Sequence, residues 1–458
     1  MRTQDYLDDL DYLFDRVKSI HPCIDFKTPL GVIEEEMELC KKRAKNCVDR
    51  QSFKQIVGSF LRTIGDAHTA IPVFQEDPQV VLPFSTELVQ GQVIVNSLRK
   101  EIFDEEFSGF RRGSMIHYLS GRSIEEILEE NLQRIPFNNV AWGRKKASRE
   151  LASHVSLGVQ GVEVTYSDSL GRVRTHDFPL FSASDASVRD CLMNEQRHTF
   201  AAPVEARILD EHRVGYLKIR SCWDRMIFNN VILSVFGIDP GSLPDIDREC
   251  WALFSAMVEE DIGELIIDLR GNQGGNSRLG HFIYKYLTKK DLLSYRTRVK
   301  ISEELKGRND SFRDHINGEI LDYGEIRLMF PYETRLEEAQ LKQLPSFEGT
   351  TVVLVDSDTY SSAEWIAAEL SANELAIFAG EPTGGGGSVP GDQLYIELPR
   401  SELVLAVSCK FFEVPDGDIR RYGAVVPDFL FTPTIADYAE GKDTVLNQAI
   451  KLLRQGVS

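Results

Sequence analysis

Along the chain the spacing of apolar positions changes twice, and each change predicts a different kind of structure. In residues 4–65, Leu7, Leu10, Leu13, Phe14 and Val17 recur at helical spacing, and so do Phe53, Ile56, Val57, Phe60, Leu61 and Ile64. The second run stops at Gly65, a residue suited to closing a helix. The chain then reads Asp66-Ala-His68-Thr-Ala-Ile-Pro72 and leaves the helix for an extended segment. Residues 77–200 change character: "LVQGQVIVNSL" and "VEVTYSDSLGRVRTHDFPL" read as strands with turn residues between them. Between them "RRGSMIHYLSGRSIEEILEENL" reads as strand, tight turn and helix. From about residue 205 strands and helices alternate: "RVGYLKI", "GELIIDL", "TTVVLV" and "LAIFAG" are near-continuous apolar strands, and "DTVLNQAIKLL" is a closing amphipathic helix. Such alternation predicts α/β layering around a buried sheet. The expected division is a helical part at 1–75, a β-rich module at 76–204 and an α/β core at 205–458.

Composition narrows the classes of function. The 458 residues, 42% hydrophobic and 27% charged, are those of a globular protein long enough for two or three domains. The net charge of −19 argues against nucleic acid and anionic membranes, because phosphate binding needs clustered Lys and Arg. No run approaches the ~18 apolar residues of a membrane-spanning helix. The start "MRTQDYLDDLDYLF" is acidic and amphipathic, unlike a signal peptide. The cytoplasm is expected if the chain is complete, export if a leader precedes it. Seven scattered cysteines without a CxxC predict reduced thiols rather than a zinc or redox motif.

Three stretches carry candidate chemistry. In "TTVVLVDSDTYSSAEW" a strand turns into a helix with Ser361 and Ser362 on the turn. Ser361 stands three residues before Glu364, the spacing of a capping box. The same geometry would expose a serine beside the Ser362 N–H at a helix start, half of an acyl-transfer site. "IIDLRGNQGGNS" is neither a P-loop nor a dinucleotide fingerprint, but its glycine turn would present free N–H groups, that of Gly275 among them. "IGDAHTA" offers His68 as a base; Asp66 and His68 also suggest a metal pair, but no ligand cluster supports one, and no metal or organic cofactor is expected.

Together these stretches resemble the C-terminal processing (tail-specific) peptidases, in particular their tricorn-like branch. "IIDLRGNQGG" looks like that family's strand and glycine turn, "TYSSAE" its nucleophile turn, "IFAGEPTGGGG" the strand and loop that follow, and "YGAVVPD" its C-terminal signature. The resemblance implies a crotonase-like (ββα) catalytic core, with Ser361 as nucleophile and the backbone N–H groups of Ser362 and Gly275 as oxyanion hole. Much of the family places a lysine base in the glycine loop, where this chain has Gly386. The tricorn-like branch uses a histidine from the N-terminal part, and His68 stands at that place. Its reference pKa of about 6.5 predicts a rate that rises through an ionisation between roughly pH 6 and 7.5. A third, orienting residue is sought among Glu413, Asp416 and Asp418. The segment "RRGSMIHYLSGRSIEEIL" resembles part of a PDZ-type module. The implied partners are peptides or unfolded proteins, without nucleic acid or membrane insertion, and a homo-oligomer is compatible with the reading. A non-catalytic binder of peptides or small apolar ligands on the same fold, and a serine esterase or amidase, remain open at this point.

Overall fold

The structure, a computed structural model, describes residues 2–72, 80–103, 107, 109–154, 161–228, 233–234, 237–328, 334–415 and 424–456. The chain opens with helices α1 (Thr3–Ile20), α2 (Leu30–Ala44) and α3 (Arg50–Ile64). The apolar stripes read from the sequence are their buried faces: Leu10, Leu13 and Val17 on α1, Phe53, Val57, Phe60 and Leu61 on α3. Gly65 closes α3 in the left-handed conformation, φ 75°, and its N–H bonds Arg62 O at 3.1 Å. That turn aims the following Asp66-Ala-His68 away from the helix axis.

An antiparallel sheet follows, with β1 (Phe84–Val89), β2 (Gln92–Leu98), β3 (Met115–Leu119), β4 (Gly161–Ser167) and β5 (Val173–Pro179) paired in that order. Helices α4 (Ile124–Leu132) and α5 (Val140–Arg149) lie between β3 and β4 in the chain. Ile127, Leu128 and Ala147 from these helices share one core with Val93, Val162 and Phe178 of the sheet.

The central sheet contains β6 (Val204–Leu209), β7 (Val214–Ile219) and β8 (Glu264–Asp268), joined by three strands from later in the chain. Between these segments run β9 (Leu292–Lys300) and β10 (Ile320–Leu328). β11 is Thr350–Val355 and β12 is Ile377–Gly380; β13 (Val389–Glu397) and β14 (Val404–Glu413) precede β15 (Phe429–Leu430). The central order is β15-β12-β11-β8-β7-β6, parallel except for the β7–β6 pair. Both faces are covered, which is why these strands read as continuous apolar runs. Ile267, Val353 and Val355 point to one side, into a core with Phe254, Phe282 and Ile366. Ile266, Val352 and Leu354 point to the other, against Val445, Ala449 and Leu453 of the closing helix (Thr444–Arg454).

β10-β9-β14-β13 form a separate antiparallel sheet. Val299, Leu405, Val407 and Leu394 of this sheet pack directly on the buried faces of α1–α3. The N-terminal helices therefore share a core with strands about three hundred residues downstream, and this packing carries His68 toward the serine turn. The architecture is mixed α/β. Among the described residues no helix is long and apolar enough to cross a membrane.

Candidate active site

The serine turn sits at the end of β11. Ser361 has φ 54° and ψ −121°, a conformation that costs a non-glycine residue on the order of 1–3 kcal/mol and persists only where its surroundings enforce it. The enforcement is visible on both flanks. Tyr360 N–H bonds Asn272 O at 3.0 Å, Thr359 Oγ1 donates to Leu269 O at 3.1 Å, and Ser362 Oγ donates to Gly275 O at 2.9 Å. The glycine turn presses against it closely: a Cβ on Gly274 (φ 101°) would fall 2.8 Å from Ser361 Cβ. The helix Ser362–Ala372 starts immediately after.

The S-x-x-E spacing does not form a capping box. At φ 54° the Ser361 hydroxyl is turned off the helix, which it does not cap. Glu364 instead accepts from Thr383 Oγ1 at 3.0 Å and Gly387 N–H at 3.1 Å, so it holds the glycine loop 384–387. Burial pushes its carboxyl up to about 7, against the pull of those hydrogen bonds.

The Ser361 hydroxyl meets His68: Nε2 lies 3.0 Å from Oγ. Neither the Ser362 nor the Gly275 N–H has an acceptor among the described residues, and both belong to the segments that frame Ser361. Gly275 has φ 141°, and a Cβ there would fall 2.6 Å from the Cys222 carbonyl oxygen. Only glycine fits, because the turn pairs with Cys222 through Cys222 N–H to Gly274 O at 2.8 Å and Asn276 N–H to Cys222 O at 2.9 Å.

His68 is nearly buried, and its turn is pinned to the second sheet. Ala70 exchanges two backbone hydrogen bonds with Ala406 of β14, at 3.1 and 2.9 Å. Asp66, 2% exposed, lies beneath the turn. It accepts from His68 N–H at 2.9 Å, Thr69 Oγ1 at 2.6 Å and Ser408 Oγ at 2.6 Å, and faces His21 Nε2 at 3.3 Å. His21 Nδ1 accepts from the Cys23 N–H, so Nε2 is the protonated nitrogen. Burial opposes the charge on Asp66, but the His21 bond and the neighbouring imidazoles hold its carboxyl well below the usual range. Asp66 Oδ1 is 3.8 Å from His68 Nδ1, close enough for Coulomb attraction without a hydrogen bond. Burial lowers the His68 pKa from its ordinary value; Asp66 and the Pro390 backbone oppose it in part. The imidazole is therefore neutral at neutral pH.

Of the three carboxylates sought to orient the histidine, Glu413 bonds Arg298 at 2.8 Å. Asp416 and Asp418 lie outside the described residues, as do Tyr422 and Gly423 of the "YGAVVPD" stretch. Asp66 is the carboxylate beside His68. Its position two residues before His68 was the only trace of it in the sequence, where it suggested a metal pair. Among the described residues no group of three or more His, Cys, Asp or Glu side chains is arranged to hold a metal.

The pattern described as Peptidase family S41 matches residues 213–430, from β7 through the serine turn to β15. The chain carries a peptidase family S41 domain. The S41 assignment makes it a serine-type peptidase and implies peptide or protein substrates. Two solved structures of mature CPAF share the S41 chain's fold. The one complexed with lactacystin has 14% identity and a TM-score of 0.71 over 99% of this chain and 98% of its own. The other has 15% identity and a TM-score of 0.71 over 99% and 97%. No curated protein sequence matches the chain.

Proposed function

We propose that the chain is a serine endopeptidase of the tricorn-like branch, with a crotonase-like core at 205–458, a PDZ-like module at 76–204 and a helical part at 1–75 that supplies the base. The observation that carries this reading is the 3.0 Å contact between His68 Nε2 and the Oγ of a serine held at φ 54°. Ser361 Oγ attacks the scissile carbonyl carbon while its proton passes to His68 Nε2. The oxyanion is received by the N–H groups of Ser362 and Gly275, a well-placed donor being worth about 3 kcal/mol. His68 then gives its proton to the leaving amine nitrogen, leaving an acyl-enzyme on Ser361. Water enters, loses a proton to His68 and releases the acid; the proton returns to Ser361. Asp66 orients the imidazole and favours the imidazolium that forms. Because burial lowers the His68 pKa, the acid limb of the rate falls below the ordinary histidine value, lower than the sequence alone suggested.

A fluorophosphonate probe read by intact mass and peptide mapping tests the assignment. The adduct is expected on Ser361, absent in Ser361→Ala, retained in Ser362→Ala and strongly slowed in His68→Ala. Peptides mapping the adduct to Ser362, or labelling unaffected by His68→Ala, refute it. A folded chain that takes no adduct at all favours the non-catalytic binder.

A further inference from the structure

The geometry points to Tyr360 as a positioning residue for His68, held by Asn138, so that one asparagine of the β-rich part keys base, nucleophile turn and glycine loop to one another. The inference rests on the Ser361–His68 reading above and extends it to Tyr360 and Asn138, to which the sequence assigned no role.

Tyr360 precedes the nucleophile, yet its side chain serves the base. Its phenol oxygen lies 3.1 Å from His68 Nδ1, on the side of the ring opposite Ser361. The two rings stack with centroids 5.0 Å apart at 22°, and the far face of Tyr360 stacks on Trp142 at 4.9 Å and 15°. The imidazole is thus fixed in plane by the stack and in rotation by contacts at both nitrogens. For Nε2 to take the serine proton, Nδ1 must carry the ring hydrogen; the phenol oxygen stands 3.1 Å from that nitrogen, and the Pro390 backbone is a second hydrogen-bond partner of the ring.

Asn138 fixes that oxygen. Its Nδ2 donates to the Tyr360 hydroxyl at 3.3 Å and to Gly385 O at 2.7 Å, while its Oδ1 accepts from Ala67 N–H at 3.1 Å. These three partners belong to the nucleophile turn, the glycine loop and the His68 turn. A flipped amide would set its oxygen against Gly385 O, so the network admits one orientation. A Cβ on Gly386 (φ 92°) would stand 3.0 Å from Asn138 Cβ, so Asn138 occupies space that a side chain at 386 would need. The Asn138 carbonyl also accepts from Lys27 Nζ at 3.0 Å. The charged groups that act on His68 are Asp66, Lys27 and Asp392; those acting on Tyr360 are Asp66 and Glu364. Among the described residues none of these charged groups hydrogen-bonds the ring, and the Pro390 backbone that does bond it stays in place when Tyr360 is changed.

The test is the pH dependence of fluorophosphonate labelling of the full chain, with thermal melting as a fold control. Tyr360→Phe keeps the stack and removes the phenol oxygen from Nδ1. Its plateau rate should fall on the order of tenfold, and its midpoint should move to lower pH because the imidazolium loses a partner. Asn138→Asp sets a carboxylate beside the phenol and should move the midpoint to higher pH. A merely structural role would lower both plateaus and leave the midpoints in place, and that result overturns the inference. So does Tyr360→Phe with the plateau and midpoint of the unmodified chain. If Asn138→Asp does not fold, Tyr360→Phe decides alone. Ser361→Ala measured alongside separates the two levels: labelling that survives it sinks the serine site, whereas its loss with an unchanged Tyr360→Phe sinks only the positioning role.

Discussion

Asp66 shows how one side chain can set the state of another without touching the reaction. Four donors converge on its two oxygens, from His21, His68, Thr69 and Ser408. Asp66→Asn replaces an all-acceptor group with one that carries two donors, so at least one neighbour is opposed by a like group. The His68 turn should shift, and labelling of Ser361 should slow by roughly 10²-fold, the cost of a small misplacement of a catalytic group. The acid limb should also move to lower pH, because the imidazolium loses its nearest negative charge. A pH–rate series that leaves both unchanged would remove Asp66 from the site. At this scale the sequence displayed Ser361, His68 and Gly275 because each sits in a local motif. It hid the environment of Asp66, Tyr360 and Asn138 because their contacts are with partners distant in the chain: Ser408 is 342 positions from Asp66, and Tyr360 is 222 from Asn138. The capping-box reading failed because spacing carries no information on φ.

Among the elements, α5 does the joining. Its Lys145 and Arg149 reach across to the start of the serine turn. Lys145 Nζ lies 2.7 Å from Asp358 Oδ2, and Arg149 bonds Asp358 at 2.9 and 2.6 Å and Glu87 of β1 at 3.1 and 2.8 Å. Asp358 is buried, so its charge depends on these cations. Arg149→Met should cost about 2–3 kcal/mol of stability, at the lower end for buried pairs because the arginine is one-third exposed. Urea unfolding measures it, and a midpoint equal to that of the unmodified chain would show the clamp to be idle. The helices α1 and α3 were legible because each buries one continuous stripe. α5, "VAWGRKKASR", was not read, since its polar residues are its contacts. The second sheet was not read either: strands such as "LLSYRTRVK" mix charge with apolar positions, and their buried face is defined by helices at the other end of the chain.

For the molecule as a whole, buried carboxyls of opposite kinds set the response to pH. Burial raises Glu364 and Glu369 to about 7. The native state therefore holds protons that the unfolded chain releases at the ordinary glutamate value, and stability falls as pH rises through that window. Asp66, Asp268 and Asp358 are held low, so their contribution is present above the usual aspartate range and lost on strong acidification. His68, lowered by burial, opposes the glutamates but is one group against two. Stability should be greater near pH ~5 than near pH ~8 by a few kcal/mol, and Glu369→Gln should remove about half of the difference. Urea midpoints that stay flat or rise over that range contradict the assignment. The anchoring of the His68 turn to Ala406 and Ser408 has a further consequence, in the order of synthesis. A growing chain contains both Ser361 and His68 well before β14 has left the ribosome, yet the His68 turn has nothing to seat it until that strand arrives. On the proposed mechanism the pairing of Ser361 with His68 is completed last, so an unfinished chain would not digest its own surroundings.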